Sequence, residues 1–447
     1  MAIVVFDIGK TNIKLSLVEA GEIRHTVSTP DRSLPAPPYP HIDEAGIWSF
    51  LLRGLKDLAA EAEITDIVVV AHGATAALVD AEGKLALPIL DYEVPIEDSD
   101  YDRLASPFAE TFSPAMAGGL NLGRQIHWLA QQYPNEFARV RYILPYPQYW
   151  SFRLSGIASS EVTYLGCHTG LWQPAAATFS GFVTRMGWRD LFPPLRRADE
   201  VLGNVLPEIR ARTGLPADCR IRVGIHDSSA SFLRHRLLRT SPFAVASTGT
   251  WVVCMAAGAD VANLPAARSC LANVDVMGNP VPVSLFMGGR EYSTLTEGAN
   301  AAVAGVPDAA AVIDAGAMLV PPISDFGGPF VGKAHGGARG TGLRKQEQVV
   351  AQASLYLALM TDYCLDLIKA TGPVVVEGSL IGNDLYLSAL AALRRSADVF
   401  VSDDATGTIS GAAQLAGQKI DGSSRTVTPL DLPMTQYRQR WREALPA

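Results

Sequence analysis

Cysteine is scarce in this sequence and never closely paired. The five cysteines are Cys167, Cys219, Cys254, Cys270 and Cys364, and no two of them form a C-x-x-C pair. Disulfide frameworks need paired cysteines in an oxidising compartment, so an odd number of scattered thiols fits a reducing one. The pattern therefore predicts a cytoplasmic protein with reduced thiols and no metal–thiolate site.

The sequence also lacks a net positive charge and a long apolar run. Its 447 residues carry a formal net charge of −8, which argues against nucleic acid as a bulk electrostatic partner. The apolar start, Ile3 to Phe6, is broken by Asp7, so we expect neither a signal peptide nor a membrane span. Apolar residues make up 48% of the chain, as in a well-packed soluble enzyme, and the length predicts two domains.

Two common nucleotide-binding motifs are missing. The chain has no G-x-x-x-x-G-K-[ST] loop, and no strand–G-x-G-x-x-G–helix unit is evident. Residues 4–18 instead have the pattern of two strands joined by a tight turn centred on Gly9. Gly9 can take a positive φ and lets the backbone approach a ligand closely. Successive N–H groups in such a turn form an anion-binding concavity.

The side chains around this turn favour a metal-bound polyphosphate over a bare anion. Thr11 and Asn12 are short hydrogen-bond donors. Lys10 and Lys14 add positive charge. Asp7 offers the hard carboxylate oxygen that Mg²⁺ prefers, so we predict that Asp7 binds the metal. The alternative is an ordinary N-terminal hairpin, in which Asp7 closes an Asx-type turn.

A second segment has the same design. Residues 243–255 again have the pattern of strand, turn and strand, with Thr248 and Thr250 on either side of Gly249. One such hairpin is weak support for phosphate binding. Two of them, one opening each half of the chain, predict a duplicated scaffold that binds a nucleotide between its halves.

Strand and helix patterns alternate along both halves of the chain. Apolar runs predict a hairpin at 77–87 and strands at 22–28, 67–71, 141–144, 222–225, 374–377 and 399–402. Helical spacing predicts helices at 47–62, 121–133, 147–154, 227–238, 346–370, 385–394 and 405–416. The Gly/Pro-rich residues 321–342 predict a loop near a cleft. The predicted fold class is α/β with mostly parallel strands and an antiparallel meander opening each half.

Several segments together resemble the FGGY carbohydrate kinases, a family of the actin/hexokinase/heat-shock-chaperone ATPase superfamily. The matching segments, which span nearly the whole chain, are residues 7–14, 71–83 with 88–91, the HDSSAS run at 226–231, 247–251 and 404–413. The resemblance implies two actin-like (ribonuclease H-like) domains, residues 1–236 and 237–447, with a nucleotide and sugar cleft between them. It also implies ATP and Mg²⁺ as cofactors.

The resemblance implies sugar-side roles for residues of the first half. Asp227 would be the catalytic base that accepts the proton of the attacking hydroxyl, although Asp is also favoured as a plain helix N-cap. Sugar contacts are implied for His72, Gly73, Asp91 and His226, and more weakly for Glu93. Trp172 and Trp128 would cover an apolar face of the sugar or belong to the core. His235 and His335 are expected at the surface.

The resemblance likewise implies nucleotide-side roles. Phosphate contacts are implied for Gly9, Thr11, Asn12, Lys14, Thr248, Gly249 and Thr250. Adenosine contacts are implied for Gly378, Ser379 and Asn383, which otherwise form a plain strand-to-helix loop. The family usually has two glycines at the start of this adenosine motif, and here one of them is Glu377. The central segment 160–166 also departs from the family pattern, which leaves the identity of the sugar open.

The resulting expectation is an ATP-dependent kinase that phosphorylates a hydroxyl of a small sugar. The HDSSAS form is most similar to that of rhamnulokinases, so the resemblance implies a ketose such as L-rhamnulose or L-fuculose. One alternative is a catalytically inactive sugar or nucleotide sensor on the same fold, which Glu377 favours, whereas Asp7, Asp227 and both glycine turns argue against it. Another is an ATP-driven chaperone or filament subunit of the same superfamily. A chaperone of this kind would have a peptide-binding domain after the ATPase-like region, and the sequence does not predict one here. The sequence leaves a homodimer open.

Overall fold

The computed structural model describes residues 1–35, 37–116, 118–299, 302–325, 327–334, 336–340, 345–403, 407–419 and 423–446. The chain divides into two compact units. Unit 1 comprises Met1–Leu237, Ala272–Pro280 and Thr406–Asp421, and unit 2 comprises Leu238–Leu271, Val281–Ala405 and Gly422–Ala447. The helices of nine residues or more are α1 (Glu44–Glu61), α2 (Leu122–Gln132), α3 (Tyr146–Ser155), α4 (Asp227–Leu238), α5 (Val306–Asp314), α6 (Gln346–Leu367), α7 (Asp384–Leu393), α8 (Gly407–Leu415) and α9 (Met434–Glu443).

Unit 1 is built on a seven-stranded sheet. Its strands are β1 (Ala2–Ile8), β2 (Asn12–Glu19), β3 (Glu22–Pro30), β4 (Ile64–Ala71), β5 (Val201–Asn204), β6 (Arg220–Arg222) and β7 (Ile225–His226). They lie in the order β5-β6-β4-β1-β2-β3, and β7 also pairs with β4. β1 pairs antiparallel with β2 and parallel with β4, which confirms the predicted meander and central parallel strand.

Both faces of this sheet are buried, and β1 explains how. Ile3 and Val5 belong to one buried apolar cluster, whereas Val4 and Phe6 belong to another. This split arises because successive side chains of a strand point to opposite faces. Helix α1 packs against β2, and helix α3 packs against β4. Helix α8 packs against both β1 and β4. The carboxyl ends of β1, β4 and β7 therefore meet at one edge of a rigid sheet.

One predicted strand boundary in unit 1 is wrong. The strand predicted at 222–225 is broken between β6 and β7, where Gly224 has a φ of 91° and a Cβ would lie 2.7 Å from the Val69 carbonyl oxygen. The hairpin predicted at 77–87 is present but short, with hydrogen bonds from the Asp80 N–H to the Lys84 carbonyl and from the Ala86 N–H to the Leu78 carbonyl. Its first strand, Ala76–Asp80, also pairs with Val140–Pro145.

The second seven-stranded sheet repeats the pairing pattern of the first. Its strands are β8 (Phe243–Thr248), β9 (Val252–Ala257), β10 (Cys270–Val274), β11 (Pro280–Phe286), β12 (Val374–Gly378), β13 (Val399–Ser402) and β14 (Ser424–Thr426), in the order β10-β11-β9-β8-β12-β13-β14. β8 pairs antiparallel with β9 and parallel with β12, just as β1 pairs with β2 and β4. The α/β fold class is confirmed, and the opening of each sheet has the same design.

Shorter elements complete the two units. The loop predicted at 321–342 contains a strand, Gly337–Arg339, which pairs with Met318–Val320, and residues 341 and 342 lie outside the described residues. The other two-stranded pairs are Ser33–Leu34 with His41–Ile42 and Trp172–Gln173 with Thr178–Phe179. The short helices and 3₁₀ turns are Ser99–Leu104, Phe108–Thr111, Gly118–Leu120, Pro134–Phe137, Val162–Leu165, Gly181–Arg185, Arg189–Leu191, Pro207–Thr213, Ala266–Arg268, Gly288–Leu295 and Ser379–Gly382. Within the described ranges, none of the helices combines the length and the apolar character needed to span a bilayer.

Candidate active site

The first turn joins β1 to β2 through Gly9. The Gly9 N–H donates to the Asn12 carbonyl oxygen over 3.1 Å, which closes the turn. The φ of Gly9 is not positive, so the conformational freedom of glycine is not what the turn requires here. A side chain there would be crowded, because a Cβ at Gly9 would lie 3.0 Å from the Asn12 oxygen. Thr11 and Asn12 are exposed at the tip, where their polar groups can reach a ligand.

Asp7 lies at the end of β1 and faces Lys14 across the hairpin. The pKa of Asp7 is raised from an ordinary value of 3.8 to about 7, mainly by burial and in part by the Asp227 carboxylate, while Lys14 acts to lower it. Asp227 begins α4 directly after β7, which pairs with β4 beside β1. The sheet thus brings together two carboxylates that are far apart in the sequence.

This pair of carboxylates fits a divalent cation bound together with a polyphosphate. Two adjacent carboxylates repel each other, and a cation between them relieves the repulsion. Across the described ranges, no three His, Cys, Asp or Glu side chains are grouped so as to hold a metal by themselves. Mg²⁺ commonly takes only one or two protein carboxylates and completes its coordination with water and substrate phosphates.

The raised pKa of Asp7 predicts a pH-dependent stability. Folded Asp7 holds its proton up to about pH 7, whereas the unfolded carboxyl loses it near 3.8. The folded state therefore binds more protons between these two values, so stability falls as the pH rises through this window. We expect an Asp7→Asn variant to melt at a higher temperature than wild type in metal-free buffer, by a margin that grows from pH 5 to pH 8. Calorimetric scans at both pH values check this, and a margin independent of pH would contradict it.

Three imidazoles gather around Gly73, just beyond the end of β4. A Cβ on Gly73 would lie 3.1 Å from His226 Nε2 and 3.6 Å from His168 Nε2. Burial lowers the pKa of His72, His168 and His226, that of His168 to about 4, so all three rings are neutral at pH 7. A neutral imidazole has one donor and one acceptor nitrogen, which suits the hydroxyl groups of a sugar.

His226 connects this cluster to Asp227. Its Nε2 lies 3.1 Å from Asp227 Oδ1 and 3.6 Å from the Cys167 sulfur, and its Nδ1 lies 3.5 Å from Ser229 Oγ. His168 was missed by the sequence analysis, although its φ of 42° marks a strained backbone of the kind that clusters at functional sites. No sequence pattern predicts the backbone strain at His168.

Asp91 is bound to Lys10. Lys10 Nζ lies 2.5 Å from Asp91 Oδ1 and 3.5 Å from Glu93 Oε2. Burial raises the pKa of Asp91, but hydrogen bonds from Lys10 and the Glu93 N–H outweigh it and lower the pKa overall. The positive charge of Lys10 is therefore compensated by carboxylates, and Lys14 is the lysine that acts on Asp7.

The second turn, which joins β8 to β9 in unit 2, is held by hydrogen bonds within the turn and with the adjacent strand β12. The Gly249 N–H donates to the Trp251 carbonyl oxygen over 2.8 Å. The Thr248 hydroxyl is buried, where it donates to the Glu377 carbonyl over 2.6 Å and accepts from the Leu380 N–H over 3.0 Å. Thr248 thus anchors the turn with its side chain, while Thr250 is exposed.

The segment after β12 lies directly against this turn. Gly378 has a φ of 94°, and a Cβ there would lie 1.9 Å from the Thr248 carbonyl oxygen, so only glycine fits. Ser379 Oγ donates to the same oxygen over 3.4 Å. The Asn383 side chain caps α7 by accepting from the Tyr386 N–H, and it donates to Ser354 Oγ over 2.9 Å. Glu377 is buried.

Several other candidates have structural roles. Trp172 is buried edge-on against Phe179, and Trp128 packs against Tyr39 and Tyr133. The surface prediction for His235 is wrong. His235 is 1% exposed, with Nε2 3.2 Å from Arg234 Nη2, because α4 is buried on most of its sides. His335 lies outside the described residues.

Comparison with known proteins places this architecture in a family. Residues 2–233 match the N-terminal domain of the FGGY family of carbohydrate kinases, and residues 240–424 match the carbohydrate kinase FGGY C-terminal domain. The chain belongs to the FGGY family of carbohydrate kinases. The crystal structure of a carbohydrate kinase from Novosphingobium aromaticivorans is 36% identical, with a TM-score of 0.92, and the match covers 99% of this chain and 98% of the other.

More distant FGGY relatives match over part of the chain or in fold alone. L-fuculokinase from Escherichia coli K12 is 25% identical over 276 residues, which cover 58% of this chain and 57% of that protein. L-fuculokinase from Salmonella typhi is 25% identical over 270 residues, which cover 57% and 56%. The chain therefore spans little more than half the length of these curated relatives. The xylulose kinase structure from Rhodospirillum rubrum has a TM-score of 0.75 at 18% identity, with coverage of 99% and 97%, and so shares the fold.

Proposed function

We propose that this FGGY protein transfers the γ-phosphoryl group of ATP to a hydroxyl of a small sugar. The observation that carries the proposal is the pairing of Asp7 with Asp227 at the edge of the unit 1 sheet, beside three neutral imidazoles. Such a site offers a carboxylate for a metal, a carboxylate for a proton and neutral partners for hydroxyl groups. We place the reaction in the cytoplasm.

Phosphoryl transfer has a loose transition state, so the protein contributes mainly positioning and charge stabilisation. Asp227 accepts the proton of the attacking hydroxyl, a contribution of roughly 10²–10⁴-fold in rate. Asp7 holds Mg²⁺, which neutralises negative charge on the phosphates when it is bound. Sugar contacts come from His72, Gly73, Asp91 and His226.

Nucleotide contacts are assigned to both glycine turns. Gly9, Thr11, Asn12 and Lys14 bind the transferred phosphate, and Thr248, Gly249 and Thr250 bind the β- and γ-phosphates. Gly378, Ser379 and Asn383 lie at adenosine, where Asn383 acts as the cap that shapes the pocket. In this assignment residues 1–236 form the sugar domain, and residues 237–447 form the nucleotide domain.

The acceptor in this proposal is a ketose such as L-rhamnulose or L-fuculose. Support comes from the partial match to two L-fuculokinases and from the HDSSAS form of the Asp227 segment. Release of ADP should be measured with L-rhamnulose, L-fuculose, D-xylulose, D-ribulose and glycerol, with and without Mg²⁺. We expect turnover that requires both a ketose and the metal. Nucleotide binding without sugar-dependent turnover would instead favour the sensor alternative.

The metal assignment has its own test. Because Asp7→Asn removes the charged ligand, we expect the Mg²⁺ concentration for half-maximal turnover to rise roughly tenfold or more, with a lower maximal rate. Titration of Mg²⁺ at saturating ATP and sugar measures both quantities. An unchanged Mg²⁺ titration in this variant would remove Asp7 from the metal site.

A further inference from the structure

Among the described residues, several buried polar atoms in and around the imidazole cluster lack a hydrogen-bond partner, and two of them belong to neighbouring rings. These two are Nε2 of His72 and the hydroxyl of Tyr146, and these residues are only 7% and 0% exposed. Their rings are neighbours, with centroids 5.1 Å apart. A buried polar atom without a partner costs about 1–3 kcal/mol, so two of them side by side call for an explanation.

The hydrogen-bonding state of His72 follows from its other nitrogen. Nδ1 lies 2.9 Å from the Gly73 carbonyl oxygen, which can only accept, so Nδ1 carries the proton. Burial lowers the pKa of His72, so the ring is neutral and Nε2 is a bare acceptor. The atom therefore needs a donor, and the part of the chain that the structure describes supplies none.

Tyr146 has the complementary need. It is the first residue of α3, and burial keeps its hydroxyl protonated by raising its pKa, which outweighs the lowering effect of the hydrogen-bonding indole of Trp150. The indole N–H of Trp150 can only donate, so the proton of the Tyr146 hydroxyl is left for another acceptor. Tyr146 thus offers a donor next to the His72 ring, which itself offers an acceptor. A single hydroxyl group can satisfy both sides, because it donates one hydrogen bond and accepts others.

We propose that His72 Nε2 and the Tyr146 hydroxyl together bind one hydroxyl group of the acceptor sugar, so that Tyr146 sets discrimination against the corresponding deoxy sugar. This inference rests on the proposed function for its ligand. The location supports a sugar over an isolated water, because His72 directly precedes Gly73 and is close enough to Asp227 and Lys10 for their charges to act on its pKa. A site built to bond a hydroxyl rejects an analogue that lacks it, since its buried polar atoms are then left unpaired.

The experiment uses Tyr146→Phe and a matched control, Tyr149→Phe. Tyr149 is buried on the same helix, but its hydroxyl donates to Glu44 Oε1 over 3.0 Å and accepts from Arg153. The measurement is kcat/KM for the best ketose of the panel and for each of its monodeoxy analogues. We expect wild type to discriminate against one analogue by about 10²-fold or more. Tyr146→Phe should shrink that ratio by about tenfold or more, whereas Tyr149→Phe should leave it within about twofold.

Stability in the absence of sugar gives a second readout that does not depend on catalysis. Tyr146→Phe removes an unpaired hydroxyl, so its melting temperature should equal or exceed that of wild type. Tyr149→Phe removes a paired hydroxyl, so its melting temperature should fall. The proposal is overturned if Tyr146→Phe lowers kcat/KM by one common factor for the sugar and all its analogues, which would indicate a structural water only.

Failure of the proposed function is distinguishable from failure of this inference. If no sugar is phosphorylated, calorimetric binding of the same sugars to wild type and to Tyr146→Phe replaces the kinetic ratio. Loss of discrimination between the parent sugar and one analogue in Tyr146→Phe then supports the hydroxyl subsite in a non-catalytic protein. Absence of any sugar binding to wild type would overturn the subsite as well.

Discussion

Replacement of Asp227 by Asn should lower kcat by about 10²–10⁴-fold and leave the affinity for Mg·ATP within about twofold. The reason is that Asp227 is the only carboxylate we place at the attacking hydroxyl, and the Asn side chain keeps its shape but cannot accept the proton. The change also removes a negative charge that raises the pKa of Asp7, so nucleotide binding should not suffer. Steady-state turnover with the best ketose and calorimetric titration of Mg·ATP measure the two quantities.

A matched control is Asp57→Asn, on the exposed side of α1. This variant removes the same charge from an exposed position that makes none of the proposed contacts, and its kcat should stay within about twofold of wild type. Turnover close to wild type in Asp227→Asn would exclude Asp227 as the base. It would favour the alternative in which Asp227 only opens helix α4.

Replacement of Gly378 by Ala should disrupt the second turn. The added Cβ would lie 1.9 Å from the Thr248 carbonyl oxygen, and the φ of 94° is unfavourable for any residue with a side chain. β8 and β12 must therefore separate where Thr248 bonds the Glu377 carbonyl and the Leu380 N–H. We expect a loss of about 3 kcal/mol or more in the free energy of unfolding, and an ATP affinity reduced about tenfold or more.

Gly382→Ala provides the control within the same segment. A Cβ added at Gly382 would meet no heavy atom within 4 Å, and Gly382 has no positive φ. Its replacement should therefore leave the free energy of unfolding within about 0.5 kcal/mol of wild type. Thermal unfolding and ATP titration of both variants check the pair of expectations. Equal behaviour of Gly378→Ala and Gly382→Ala would mean that the close approach to Thr248 does not hold the turn.

The sequence predicts the two hairpins well because their signals are local. Apolar runs flank a glycine in each case, and the strands β1, β2, β8 and β9 follow these runs to within a few residues. The break between β6 and β7 could not be predicted in the same way. Gly224 is required there by the Val69 carbonyl oxygen of a neighbouring strand, and that contact exists only once the sheet has formed.

The features of the candidate site likewise fall into two groups, those that the local sequence predicts and those that depend on contacts formed only in the folded protein. Asp7 and Asp227 each follow an apolar run, so their place at strand ends is readable from the sequence. The effect of the Asp227 carboxylate on the pKa of Asp7 cannot be read in this way, because it depends on both strands pairing with β4. Tyr146 lies in an ordinary helical pattern, and nothing local reveals that its hydroxyl is unpaired. His235 looks exposed by its polarity, yet α4 is enclosed by the fold.

The central proposal is that both glycine turns bind the phosphates of one ATP molecule. Amide hydrogen exchange during a titration with a non-hydrolysable Mg·ATP analogue tests it most directly. The account predicts that peptides covering residues 7–14 and 247–251 gain protection together, with a single midpoint and a stoichiometry of one nucleotide per chain. Protection of only one of these segments, or two separate midpoints, would contradict it.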